Sequence, residues 1–391
     1  MSLSIKNIPS DWELKKLGDY LDYIQPTKYI TNNINKTGNI PVLTANKAFV
    51  LGYTDESENI FTNIPVIIFD DFTTDSKFVD FNFKVRSSAL KILVPKTKDI
   101  NIHYLYESLK SINYQCVEHK RYWISEYQYL KIPVPPLKEQ QKIAEILSTV
   151  DAKISIIDEQ ISENQNLKKG LMQSLLSKGI GHTEFKKSAL GEIPKSWEVV
   201  KMGEISIKIG DGLHSTPKYV DNSNYYFVNG NNLINGKLII SEKTKCVSFE
   251  EFEKHNKNIE ISSILISING TIGNLAFYNG ESVVFGKSAC YISPDLSKIN
   301  KYFLYYYFQT YRIKKYFANE VTGTTIKNLS LKTIRNTPIP LPPLQEQEKI
   351  ASILSSVDEK LGVLSEKKSD YQNLKKGLMQ QLLTGLVRVS V

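Results

Sequence analysis

The residues that most often carry catalysis are present in this chain but not at catalytic spacings. Five histidines, His103, His119, His182, His214 and His255, stand singly. None falls in the H-E-x-x-H spacing that sets two imidazoles on one helix face around zinc. Cys116 and His119 make one C-x-x-H pair without the second pair that a four-ligand site needs. Asp70-Asp71 follow the strand-like run Ile64-Pro-Val-Ile-Ile-Phe69, with Asp75 beyond. Carboxylates at a strand end can hold magnesium, but no lysine-bearing motif of matching spacing accompanies them, and a surface turn is the expectation. The glycine-rich phosphate loops, the G-x-S-x-G nucleophile elbow and the Asp/Asn-Pro-Pro-aromatic tetrapeptide of amino methyltransferases are all missing. The expectation is a chain that binds and does not catalyse.

Donors suited to bases and phosphates are better represented. Gly210-Asp-Gly-Leu-His214-Ser-Thr-Pro-Lys218-Tyr219 reads as a polar loop, and Asn229-Gly-Asn231-Asn232 follows a strand. Asparagine pairs bidentately with adenine, and lysine or arginine addresses guanine or phosphate; an Asn/Gly turn accounts for the same residues without any ligand. Arg312, Lys314, Lys315 and Lys327 form the densest basic neighbourhood, with Thr322-Gly-Thr-Thr325 between them, and His119-Lys120-Arg121-Tyr122-Trp123 takes the corresponding place earlier in the chain. Gly270-Thr271-Ile-Gly273 reads as a turn between two strands, with Thr271 offered to phosphate. The candidate nucleic-acid contacts are thus Lys47, Lys120, Arg121, His214, Lys218, Asn231, Asn232, Thr271, Arg312, Lys315 and Lys327. No metal site is expected.

Composition sets the frame for those contacts. With 391 residues and a formal net charge of +8, the chain is long enough for two or three domains and modestly biased toward an anionic partner. The charge is uneven: residues 1 to 131 carry roughly +1 and residues 182 to 338 roughly +6. No signal-like segment opens the sequence and no apolar run reaches the roughly 18 residues of a membrane span. Three scattered cysteines fit a reducing compartment, so the expected location is cytoplasmic.

The elements that must position the candidates come from a repeat. Ile132-Pro-Val-Pro-Pro-Leu-Lys-Glu-Gln140 returns as Ile339-Pro-Leu-Pro-Pro-Leu-Gln-Glu-Gln347, and more than half of the next 36 positions are identical too. A shorter echo links Ile8-Pro-Ser-Asp-Trp12-Glu13 to Ile193-Pro-Lys-Ser-Trp197-Glu198. The sequences between have diverged almost completely and are rich in β-branched and aromatic runs, so each reads as a mostly β, α/β domain. Helices are expected there at 101 to 113 and at 300 to 317. In the repeated segments Ile143, Leu147, Val150, Ile154, Ile157 and Ile161, and then Ile350, Leu354, Val357, Leu361 and Leu364, alternate steps of four and three, the coiled-coil period. Each helix should run about 40 residues, roughly 60 Å, and needs a partner along its length. Double prolines start both helices, Glu139 and Glu346 complement the dipoles, and Gly179, Gly181 and Gly385 stop them. Asn164, Lys168, Lys368, Tyr371 and Lys375 fall on the seams as polar register setters. Gly170 and Gly377, inside helical pattern, read as points of close helix approach, with fraying as the alternative. The tail after Leu386 need only finish the second helix.

Two dissimilar domains alternating with two near-identical helices, each opened by I-P-[VL]-P-P-L-x-E-Q and closed by N-L-K-K-G-L-M-Q, resemble the specificity subunit of type I restriction-modification systems. The resemblance spans the whole chain. It implies two target recognition domains (1–136 and 181–343) and two spacer helices (137–180 and 344–391) that pack as an antiparallel coiled coil, a pseudo-two-fold repeat. Each domain would read one half of a bipartite, asymmetric sequence of double-stranded DNA. The partners it implies are two modification subunits, transferring methyl groups to adenine N6, and restriction subunits. S-adenosylmethionine, ATP and magnesium would belong to those subunits, with no cofactor in this chain. A partner that both methylates and cleaves, or a coiled-coil adaptor whose β domains bind proteins, would have the same outline.

Overall fold

The computed structural model describes residues 8–44, 48–112, 121–323 and 327–391. They fall into two compact units: one combines residues 1–159 with 365–391, the other comprises residues 160–364. Each unit therefore holds one variable domain, the start of the helix that follows it, and the end of the other long helix.

The diverged domains share one topology. In the first, a four-stranded antiparallel sheet has the order Leu21–Ile24, Leu90–Pro95, Val66–Asp70, Ser76–Val79. In the second the order is Ser206–Asp211, Ala289–Pro294, Ile264–Ser267, Leu275–Phe277, again antiparallel. Each domain adds a second sheet built on a parallel pair, Ile40–Leu43 with Lys84–Val85 and Tyr225–Val228 with Val283–Phe285. The sequence reason for the central strands is burial on both faces. Ile67 and Phe69 point into one core while Val66 and Ile68 point into another, and Ile264 and Ile266 oppose Leu265 in the same way. A strand covered on both sides reads as a continuous apolar run.

Helices follow the sheet. Ile102–Ser111 is capped by Asn101, whose side chain accepts from Tyr104 N. The single helix expected at 300–317 is instead two, Lys301–Phe308 and Tyr311–Glu320, because Thr310 leaves the helical conformation and caps the second through Ile313 N. Asp70 and Asp71 do open the expected turn, which joins Val66–Asp70 to Ser76–Val79, but their own side chains do not face solvent. Both are buried; Asp70 Oδ1 accepts from Phe72 N and Thr73 N, and Asp71 Oδ1 accepts from Trp123 N while its Oδ2 lies 3.6 Å from Lys91 Nζ.

The long helices are Leu137–Lys178 and Leu344–Leu382, both opening directly after their double prolines. Gly179, Gly181 and Gly385 adopt positive φ beyond the helix ends, the left-handed turn that glycine accommodates. Within each unit the helix segments run antiparallel. Arg388 meets Glu139, Lys375 meets Asp151 and Lys368 meets Asp158 in one unit; Ile180 N bonds Glu346 and Lys168 meets Asp358 in the other. The seam is not uniform. Ile143 and Leu147 pack with Trp12, Tyr104, Leu382 and Leu383, and Ile350 and Leu354 join the second domain's core. Val150, Ile157, Val357 and Leu364 are buried, whereas Ile154, Ile161 and Leu361 are half-buried. The close approach expected at Gly170 and Gly377 is absent: a Cβ there would meet nothing within 4 Å.

The repeated P-P-L-x-E-Q segment now has a physical reason. Glu139 is 2% exposed, and it accepts from Trp12 Nε1 at 3.1 Å and from Arg388 Nε at 2.7 Å. Gln140 accepts from Asn101 N and donates to Pro135 O, both at 2.8 Å. In the second unit Glu346 accepts from Trp197 Nε1 at 3.0 Å and contacts His182 Nε2 at 2.8 Å, and Gln347 accepts from Asn300 N and donates to Pro342 O. The glutamate ties the helix start to the leading tryptophan, and the glutamine ties it to the domain helix. The tail does more than finish the second helix: Arg388 is bidentate on Asp11 and also holds Glu139.

Lys375 is another buried charge, with Nζ 3.0 Å from Glu107 Oε1 and 2.5 Å from Asp151 Oδ2. Burial raises the Glu107 pKa, but the His103 hydrogen bond and the Lys375 charge together hold it below the ordinary 4.5. Its contribution to stability is full above pH 4.5 and is lost as pH falls through the depressed value of the folded state. Removing the lysine leaves Glu107 buried with His103 as its remaining partner. Lys375→Ala is expected to destabilise the first unit by about 3–5 kcal/mol in denaturant unfolding, with much of the loss recovered by adding Glu107→Gln.

Candidate nucleic-acid interface

In both domains the loops at one end of the sheets are bonded into a single edge, and the bonds correspond. In the second domain Leu213 N donates to Phe285 O, Gly286 N to Val228 O, Ile268 N to Ser288 O and Gly270 N to Lys327 O. In the first, Thr31 N donates to Val85 O, Arg86 N to Leu43 O, Asp71 N to Ala89 O and Tyr122 N to Asp71 O. The loops after equivalent strands therefore sit side by side twice, on unrelated sequences. Short side chains allow this: a Cβ on Gly286 would lie 2.2 Å from Asn229 Oδ1, and one on Gly212 would lie 2.0 Å from Phe285 O.

That edge gathers most of the second domain's candidates. His214 is exposed, with Nε2 2.7 Å from Asp211 Oδ2, whereas Lys218, also exposed, precedes Tyr219–Val220 at the opposite end of that sheet, level with the residue before Tyr225. Asn231 is exposed on the adjoining loop. Asn232 is committed within it: its Oδ1 accepts from Asn229 N at 2.9 Å and its Nδ2 donates to Ile239 O at 3.0 Å. Thr271 is exposed on the turn whose Gly270 N is bonded to Lys327 O. Ser288 welds the neighbouring turns, accepting from Gly230 N and donating to Asn229 Oδ1, both at 2.9 Å.

Arg312 and Lys315 lie elsewhere. They line a hollow of about 430 Å³ with Ala189, Leu190, Tyr311 and Asn319, because the break at Thr310 starts a new helix on that side of the domain. The basic neighbourhood that looks continuous in sequence is thus split from Lys327. In the first domain Arg121 is exposed and precedes the buried Tyr122 and Trp123, while Lys47 and Lys120 lie outside the described residues. Two exposed cations at the centre of the edges were not singled out from sequence: Lys287, whose N donates to Leu213 O, and Arg86. Neither stands in a basic or amide-rich stretch, and only strand pairing brings them beside the other loops.

Cys290, in the strand Ala289–Pro294 that follows this edge, is fully buried, and burial pushes its thiol far above the ordinary value. Among the described residues no group of three His, Cys, Asp or Glu side chains is placed to hold a metal ion, and no helix is long and apolar enough to cross a membrane. The arrangement offers amides, hydroxyls and cations on a rigid loop edge, which is chemistry for recognition.

Comparison with known proteins agrees with that reading. The family described as type I restriction modification DNA specificity domain matches twice, over residues 9–165 and 194–370. The chain is similar to a putative type I restriction enzyme MjaX specificity subunit of Methanocaldococcus jannaschii, 29% identical with 98% of this chain and 96% of that one covered. It is also similar to the EcoR124I/EcoR124II specificity subunit of Escherichia coli, 30% identical with 88% and 85% covered. In fold it resembles the crystal structure of a type I restriction-modification S subunit from M. genitalium, with a TM-score of 0.66, 19% identity and 97% of each chain covered.

The Ser288 weld can be tested directly. Ser288→Ala leaves Gly230 N without its acceptor and is expected to speed amide exchange across residues 229–232 by about tenfold, with little change in the global melting temperature. Unchanged exchange in a hydrogen-exchange measurement would mean the loops are held by other contacts.

Proposed function

The chain belongs to the type I restriction-modification DNA specificity family, and on that premise we propose how it works: as a DNA sequence-recognition subunit whose two domains each read one half of a bipartite, asymmetric target. One observation carries the reading. The two domains keep the same strand order in their four-stranded sheets and bond equivalent loops together, while the side chains on those loops differ. A constant frame with unlike readers is what unlike half-sites require. Base edges in the major groove present distinct donor and acceptor patterns, so exchanging the loop side chains changes the sequence read without changing the fold.

The chain itself is not the catalyst, and the chemistry belongs to its complex. Two modification subunits would dock on the duplicated helical scaffold, since two near-identical platforms suit two copies of one partner. Those subunits would bind S-adenosylmethionine and methylate adenine N6; restriction subunits using ATP and magnesium would cut unmodified DNA. The balanced charge on the helices, with Lys142 paired to Glu145 and Lys168 to Asp358, supports placing phosphate contacts on the loop edges of the domains rather than on the coil.

Two measurements on the complex with its modification subunits test the reading. Duplex affinity is expected to fall steeply with salt, with a log–log slope of about −0.9 for each phosphate contact. A flat response would favour a protein-binding adaptor instead. Replacing residues 21–131 by another recognition domain is expected to change one half of the methylated motif and leave the other intact; a change in both halves would defeat the modular reading.

A further inference from the structure

We propose that Arg86 is the guanine-reading residue of the first recognition domain and that Asn32 positions it. The proposal rests on the reading of the chain as a DNA-recognition subunit and names a residue that its motifs do not mark.

The argument begins beneath the surface. Lys84, only 3% exposed, sends Nζ to Glu56 Oε2 at 2.5 Å and to Glu58 O at 2.8 Å. Thr31, 4% exposed, donates its hydroxyl to the other oxygen of the same carboxylate at 2.8 Å and accepts from Asn33 N at 3.0 Å. The Lys84 hydrogen bond, followed by that of Thr31, holds the Glu56 carboxyl below its ordinary value, so the link is ionic at neutral pH. The backbone closes the same square, with Thr31 N on Val85 O at 3.0 Å and Arg86 N on Leu43 O at 2.8 Å. The two residues that emerge from this anchored base are Asn32 and Arg86.

Above the base, Arg86 Nη1 donates to Asn32 Oδ1. A guanidinium carries five N–H donors in a fixed fork, and one partner leaves most of the fork open. Among the described residues no carboxylate pairs with Arg86, and its side chain is exposed. Nearby on the edge is the segment starting at Arg121, linked through Asp71 and Ala89. An arginine held from below and steered from one side has the form of a direct reader: planar, bidentate donors matched to guanine O6 and N7. A phosphate contact would need no such steering. In the second domain the residue bonded in the place of Arg86 is Gly286, with Lys287 next on the turn, so no arginine stands there. The guanine-selective fork therefore belongs to the first half-site alone.

The test uses the full chain in complex with its modification subunits, with the methylated motif mapped genome-wide for the wild type and for Arg86→Ala, Arg86→Lys and Asn32→Ala. The wild type should show a guanine in the half-site read by the first domain. Arg86→Ala should make that one position degenerate, with discrimination falling about 10- to 100-fold, and leave the other half-site unchanged. Arg86→Lys, which keeps the charge and guards against a folding failure, should lose the same position because a lysine lacks the fork. Asn32→Ala should weaken selectivity at that position alone. An unchanged motif, with affinity lowered uniformly and the salt slope shallower by about one, would make Arg86 a phosphate contact and overturn the proposal. A first half-site without guanine would overturn it as well. If the wild-type complex methylates no defined sequence, the functional reading itself fails, an outcome separate from either.

Discussion

A carboxylate buried in the first turn of a helix must be met by donors, and the donors it finds decide which parts of the chain come together. Glu139 is nearly inaccessible and recruits Trp12 from the segment before the first domain and Arg388 from the tail behind the second helix. Glu346 recruits Trp197, Ile180 N and His182 in the same way. In the first unit three segments far apart in sequence are joined at one point; in the second, residues 180–197 are joined to the start of the other helix. The adjacent glutamines then bind the N-terminus of each domain's helix, so the helix start also fixes the orientation of the sheet behind it. Lys375 with Glu107 and Asp151, and Lys168 with Asp358 and the Tyr306 ring, add further links along the helices.

That junction explains why the repeat is where it is. The helices and their flanks have geometric work to do in both copies, and the same residues do it. The domains need only present strands in the right order to build the loop edge. The central strands meet the requirement with apolar runs buried on both faces, a demand that many sequences satisfy. The loops are then free to differ, because their positions are set by backbone bonds from Val85, Leu43 and Ala89 in one domain and from Phe285, Val228 and Ser288 in the other. Recognition is thereby separated from stability: the side chains that face outward carry little of the packing.

Much of this was legible in the residues. The double prolines, the heptad spacing and the terminal glycines placed both long helices close to their observed limits, and the divergent segments announced two β-rich domains. The site was legible only in part. His214, Asn231, Thr271 and Lys327 do gather on one edge, but Lys218 lies at the other end of its sheet, Asn232 is used up inside its own loop, and Arg312 and Lys315 line a separate hollow. Arg86 and Lys287 carry no local signal at all, since each lies beside its neighbours only through pairing between distant strands. Asp70 and Asp71 misled because a buried carboxylate that accepts backbone N–H groups looks the same in sequence as an exposed one.

By itself the sequence determined the repeat, the helices and the absence of catalytic spacing, since all three are written in local periodicity and residue type, which act over a few turns of chain. Only the tertiary structure decided which helix end meets which domain, what the repeated glutamates and glutamines hold, and which cations share an edge. Those outcomes depend on satisfying buried charges and strand backbones across hundreds of residues, and no local pattern records them.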